Sequence, residues 1–175
     1  MTNMKSVCLW FAMLLMAISA HAQIQAPSEA ETPQLEFALQ LHVTLGAAYT
    51  VGETPHGRRM VIPITGGTFE GPGIKGTVIN GGADYQLAKG NRTELEAIYS
   101  IKTDDGVYIH VRNRGIIRMG GEDREAQPSF YFKCAPTFEA PEDSRYSWLN
   151  NTLFLCQPSS SGKPGGITLN VWRVK

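Results

Sequence analysis

A period of two governs this sequence. Leu35, Phe37, Leu39, Leu41, Val43 and Leu45 fall on one face of an extended run, with Glu36, Gln40, His42 and Thr44 on the other. Successive strand side chains point to opposite faces, so this is the pattern of a sheet with one dry side and one wet side. Leu95, Ala97, Tyr99 and Ile101 repeat it, then Val107, Ile109 and Val111, and finally Ile167, Leu169 and Val171. Between the middle two runs, Thr103-Asp104-Asp105-Gly106 forms a turn whose Asp-Gly favours a tight hairpin. Further strands are predicted at Arg58–Ile64, Ile74–Asn80 and Ala83–Ala88, set apart by Gly-Gly or Gly-Pro. The best helical stretch after the N-terminal residues, Glu122–Gln127, is short and polar. About eight to ten short strands joined by hairpins imply an all-β fold, a single antiparallel barrel or sandwich with little helix. The closed barrel is favoured because closure removes exposed strand edges. The 18 Gly and 10 Pro are the turns such a fold needs, and 175 residues suit one domain.

The first residues follow a different rule. Lys5 precedes the apolar run Val7–Ile18, and Ser19-Ala20-His21-Ala22 offers small residues in the A-x-A pattern. The run is shorter than the roughly 20 residues that span a bilayer. The expectation is an export signal, residues 1–22, cleaved after Ala22. Residues 23–34 then read as a flexible leader and 35–175 as one β-barrel domain. No later segment reaches spanning length, so the mature chain is expected to be soluble and periplasmic or secreted. The 16 cationic and 16 acidic side chains balance, and losing Lys5 moves the net charge only to −1, which gives nucleic acid no reason to bind.

Export changes how the cysteines read. Cys8 leaves with the signal, and Cys134 and Cys156 remain in an oxidising compartment. Both end strand-like runs, Ser129–Cys134 and Leu149–Cys156, around the polar turn Pro141–Tyr146. A hairpin centred near Arg145 sets them opposite each other, about 4.5–5.5 Å apart at Cα, within reach of a disulfide. Two buried free thiols are the alternative.

Familiar catalytic motifs are absent or false. Gly71-Pro72-Gly73-Ile74-Lys75-Gly76 has dinucleotide-loop spacing, but Thr77-Val78-Ile79 continues it as a strand where the motif requires a helix. No P-loop, G-x-S-x-G elbow, H-E-x-x-H or C-x-x-C occurs, so neither a cofactor nor a metal is expected. His42 and His110 each fall on the polar face of a strand.

The informative residues are polar side chains on faces otherwise reserved for the core. Asn113 continues the Val107–Val111 face; Trp148 and Asn150 fall in phase with Phe154 and Cys156; Asp84 follows Gly81-Gly82; Glu139 follows Phe138. Buried amides and carboxylates cost a few kcal/mol unless hydrogen-bonded, so these residues either cap turns or converge on a ligand.

With these residues assembled, the chain resembles the domain-of-unknown-function 3237 family, also called uncharacterised protein family 0311. The resemblance lies in Gly52–Arg59, Pro63–Pro72, Gly81–Gln86, Thr103–Gly106, Val111–Gly115, Tyr131-Phe132 with Pro136-x-Phe138-Glu139, and Tyr146-x-Trp148-Leu149-Asn150. It implies a compact barrel of lipocalin-like shape and no settled activity. The chain departs from the family pattern in its export signal, in a short Met119–Gln127 segment, in Tyr85 where Trp is common, and in Cys134 and Cys156.

Three functions fit. The first is a binder of a small hydrophobic or aromatic molecule, with Phe130, Phe132, Trp148 and Phe154 as apolar wall, Asp84, Asn113 and Glu139 orienting its polar groups, and Arg114 and Asn150 as further contacts. The second is a cofactor-independent enzyme in which Asp84 or Glu139 acts as general acid or base and Arg114 or Asn113 steadies negative charge. The third is an envelope module with a filled core. The oligomeric state stays open.

Overall fold

A computed structural model describes Ser28 and residues 32–120, 130–162 and 165–175. The expected export signal, nearly all of the leader and the helical stretch Glu122–Gln127 lie outside the described residues. The chain divides at Thr32/Pro33, and the fold below is the unit Pro33–Lys175.

Ten antiparallel strands form one sheet: β1 (Leu35–Leu45), β2 (Tyr49–Thr54), β3 (Gly57–Gly71), β4 (Ile74–Val78), β5 (Gly82–Lys89), β6 (Arg92–Thr103), β7 (Tyr108–Met119), β8 (Phe130–Glu139), β9 (Phe154–Ser160) and β10 (Gly166–Val174). The order runs β1-β10-β9-β8-β7-β6-β4-β3-β2, and β1 also pairs with β3, which closes the sheet into a barrel. β4 and β5 share one place in the wall. β4 pairs with the ends of β3 and β6 that β5 leaves free, so the barrel has eight strand positions. β2 pairs only with the first half of β3 and stands outside the closed ring.

Most of the expected strands are present, including the hairpin at Thr103–Gly106, where Gly106 takes φ +93° and the Thr103 hydroxyl accepts from Val107 N at 2.9 Å. The false dinucleotide loop is the β3–β4 turn, with Gly73 at φ +74°. Two readings need correction. Phe37 and Leu35 do not share the core face: a bulge between Phe37 and Leu39 adds a residue, buries Ala38 and leaves Phe37 42% exposed. The expected strand Leu149–Cys156 begins instead with the 3₁₀ turn Ser147–Asn151, and β9 starts at Phe154.

The barrel has one solid end. Leu39, Leu41, Ile101, Ile109, Val111 and Val171 fill it, almost wholly buried. Each such aliphatic side chain is worth about 1.5–3 kcal/mol of burial. The segment after β8 folds over this end as a plug. Leu149 is buried, the Phe138 and Phe154 rings meet edge to face at 5.0 Å, and Trp148 lies 6.0 Å from Phe154. The Tyr146 hydroxyl donates to Asp105 Oδ1 at 2.9 Å, and Arg145 donates to the Gly73 carbonyl, tying the plug to the β6–β7 and β3–β4 turns.

Candidate functional site

The other end of the barrel is hollow. A cavity of about 150 Å³ lies inside, with Val43, Ile64, Leu95, Ala97 and Leu169 in its wall and the half-buried Leu45, Ile117, Phe132 and Ile167 around it. Into this apolar space the strands bring five groups able to hydrogen-bond: Asp84, Gln86, Tyr99, Asn113 and Cys134.

Their placement follows from register. Asp84 on β5 pairs with Ala97 on β6, and Ala97 pairs with Asn113 on β7. The three form one row across the inner wall, so the Asp84 and Asn113 Cα atoms are two strand spacings apart, roughly 9.6 Å. Ala97 carries only a methyl group between them, which leaves a niche. The next row toward the open end reads Gln86, Leu95, Gly115, Cys134 and Cys156. Gly115 is small for a reason: a Cβ there would stand 2.5 Å from Cys134 Sγ.

Asp84 and Asn113 are chemically unfinished. Asn113 is 3% exposed and its Oδ1 has no hydrogen-bond partner; Asp84 Oδ1 is likewise buried and unpartnered. Such atoms cost about 1–3 kcal/mol each when nothing replaces their water. The second Asp84 oxygen is satisfied, because Gln86 Nε2 donates to Oδ2 at 2.7 Å. Burial pushes the Asp84 carboxyl above its usual range, against the opposing pull of the Gln86 side chain and the Glu96 backbone N–H. Burial also raises the Tyr99 phenol, so it stays protonated. Among the described residues, no three His, Cys, Asp or Glu side chains gather around a metal-sized space.

The predicted site residues therefore separate. Asp84, Asn113 and Phe132 meet in the cavity. Phe130 lies on the same face of β8, 54% exposed, its ring 6.4 Å from Phe132. Trp148, Asn150 and Phe154 belong to the plug at the solid end. The Asn150 amide bridges the Ala140 backbone, accepting from its N at 2.7 Å and donating to its O at 2.9 Å. Arg114 points outward and donates to Glu96 at 2.7 Å, as Arg112 does, and these two bonds lower the Glu96 carboxyl. Glu139 is exposed at the end of β8, opposite His110. Neither Arg114 nor Glu139 lines the cavity, because each falls on the outward phase of its strand, next to Asn113 and Phe138, which face in.

Cys134 and Cys156 stand directly opposite each other across β8 and β9, in the expected register. They are buried free thiols here, with no bond between them. The hydrogen bond with Cys134, and then burial, push the Cys156 thiol up. Gln86 and Tyr99 complete the site without having been singled out as functional. The sequence signal for Gln86 was its phase with Asp84.

A family model described as a protein of unknown function (DUF3237) matches residues 33–174. A UPF0311 protein of Rhodopseudomonas palustris (strain TIE-1) is 37% identical over 137 residues, covering 71% of this chain and 88% of the relative. The crystal structure of a β-barrel-like protein from Acinetobacter baumannii superposes with a TM-score of 0.72 at 30% identity, over 87% of this chain and 100% of that one. A hydroalkoxylation enzyme of Penicillium herquei is 28% identical over 137 residues, covering 78% of this chain and 82% of the relative. The crystal structure of an enzyme from the same organism superposes with a TM-score of 0.62 at 27% identity, over 86% of this chain and 98% of that one. With its fold, its order of motifs and nearly its whole described length matched, the chain belongs to the DUF3237 family.

Proposed function

We propose that the hollow end of the barrel binds a small, largely apolar molecule and holds its polar group between Asp84 and Asn113. One observation carries this reading: two buried side-chain oxygens without partners line the same apolar cavity. Buried oxygens without a protein partner are completed by an ordered water or by a ligand, and an apolar cavity around them favours the ligand. The test is native mass spectrometry of the protein purified from its own source, beside an Ala97→Leu variant that fills the niche. The expected result is a retained small molecule in the parent and none in the variant. Absence of any retained molecule, together with no thermal stabilisation by a panel of small aromatics, overturns the reading.

A second reading, acid–base catalysis on that molecule, is favoured by the raised Asp84 carboxyl and by the likeness to the hydroalkoxylation enzyme of Penicillium herquei. Adding an alcohol O–H across a C=C bond needs no cofactor. The acid delivers its proton to one alkene carbon, the oxygen bonds to the other, and the oxygen's proton returns to the carboxylate. Asp84 is the residue suited to that exchange. Unchanged turnover in Asp84→Asn removes it.

Export and a disulfide belong to the same reading. The A-x-A pattern at Ala20–Ala22 supports cleavage after Ala22. In an oxidising compartment the opposed Cys134 and Cys156 are the pair that would bridge. N-terminal sequencing of the mature protein, with a start at Gln23 expected, tests the first.

A further inference from the structure

We infer that the cavity's ligand is a neutral, single-ring-sized alcohol whose hydroxyl bridges Asp84 Oδ1 and Asn113 Oδ1. This rests on the binding reading above and names the class of molecule that the site takes.

Size comes first. The cavity measures about 150 Å³. Dry engineered cavities of about that volume take one benzene molecule. A single ring with one short substituent fits within it.

Charge comes next. No Lys, Arg or His lines the cavity. A carboxylate or phosphate ester entering it would be stripped of water with no cation to meet it, and would face Asp84 as well. Arg112 and Arg114, the nearest cations along β7, point outward and are spent on Glu96. Anionic aromatics are thereby excluded from the hollow end.

Hydrogen-bond polarity gives the functional group, and Gln86 is the residue that fixes it. Its amide N–H occupies Asp84 Oδ2, which makes Oδ2 an acceptor and favours Oδ1 as the seat of the neutral acid's proton. Oδ1 is the oxygen without a protein partner. The acid therefore offers an O–H donor at Oδ1, while Asn113 Oδ1 offers an acceptor two strands away. A hydroxyl is the simplest group that accepts from one and donates to the other, and one hydroxyl over the Ala97 methyl completes both. A ketone would satisfy Asp84 alone. Gln86 acts through Asp84 and is a positioning residue.

The experiment is titration calorimetry of the purified, reduced protein with toluene, benzyl alcohol and benzoate across pH 4–9. Benzyl alcohol is expected to bind about tenfold or more tighter than toluene at the acid end, the worth of one added set of hydrogen bonds. That advantage should fade as pH rises through the Asp84 titration, and benzoate should not bind. The titratable groups that share the cavity with Asp84 are Tyr99 on β6 and Cys134 on β8; β3 and β7 contribute none. Repeating the series in Cys134→Ser separates the thiol, and Tyr99 stays protonated throughout. Gln86→Leu should move the loss of binding to higher pH, because a donor that favours the ionised carboxyl is gone. It should also weaken acid-end binding about twofold, since the proton can then sit on either oxygen. A purely structural role for Gln86 would leave the pH midpoint in place. Toluene and benzyl alcohol binding equally, without pH dependence, overturns the alcohol and leaves an apolar site; benzoate binding tightest overturns it too. Failure of all three to bind overturns the binding reading itself.

Discussion

Asp84 and Asn113 flank Ala97 in a single inner row of the barrel, and each leaves one buried oxygen without a partner. On either side lie rows that are mostly apolar, Tyr99 with Val111 and Phe138, and Leu95 with Gly115 beside Gln86 and Cys134. Polar side chains in this row therefore cost stability, and the cost is measurable.

Asn113→Leu should raise stability by about 1–3 kcal/mol, because it removes a buried amide that nothing satisfies and adds apolar contact. Urea denaturation followed by tryptophan fluorescence reads the change. A loss of stability of similar size would mean that the amide is bonded within the fold and not reserved for a ligand. The same variant should lose the preference for benzyl alcohol over toluene.

Asp84 makes stability depend on pH in a definite direction. Its folded-state carboxyl is raised above the ordinary 3.8 by burial. Between that value and the raised one, the folded chain holds a proton that the unfolded chain has lost, so stability falls as pH climbs through this window and stays lower above it. Denaturation midpoints for the parent and Asp84→Asn should converge toward the acid end of the window, and the variant should be the more stable at neutral pH. A parent curve parallel to that of Asp84→Asn across the window would refute the shift.

How much of this was legible depends on what each residue needed. The bulk of β1, β6, β7 and β10 follows from alternation, and β4, β5 and the first half of β3 from runs set apart by glycine, whereas β2 and the stretch of β3 beyond Ile64 carry no such signal. Asn113 and Asp84 stood out for breaking that phase. Glu139 and Arg114 lie outside this cavity because they take the outward phase of their strands, which their chemistry alone does not reveal. Trp148, Asn150 and Phe154 share an apparent period of two with Cys156, but the 3₁₀ turn Ser147–Asn151 breaks it. Its cause is tertiary: Tyr146 bonded to Asp105 and Asn150 clasping Ala140, contacts that no local pattern announces. The bulge at Phe37/Leu39 is similar, since pairing with β10 decides it.

The opposed thiols give a redox prediction. Exposure to a disulfide oxidant should join Cys134 and Cys156, and closing the loop between them should stabilise the chain by about 3 kcal/mol. Thiol titration of the oxidised, denatured protein should then find neither residue free, and the gain should vanish in Cys156→Ala. Two reactive thiols after oxidation would refute the pairing.

Gly115 tests how tightly the wall beside the cavity is built. A methyl group there would meet Cys134 Sγ at 2.5 Å, the Lys133 carbonyl oxygen at 2.9 Å and Leu95 Cδ1 at 3.0 Å. Both side chains lie in the same row, held by register on β8 and β6. The Lys133 carbonyl is backbone and cannot rotate aside, so part of the crowding falls on the strand itself. Gly115→Ala should cost about 1–3 kcal/mol as overpacking. Cys134→Ala in the same chain removes the closer atom and leaves the Lys133 carbonyl, so the double variant should recover part of that loss, measured as a coupling in denaturation experiments. If the two changes add without coupling, the crowding is elsewhere and Gly115 is small for its backbone alone.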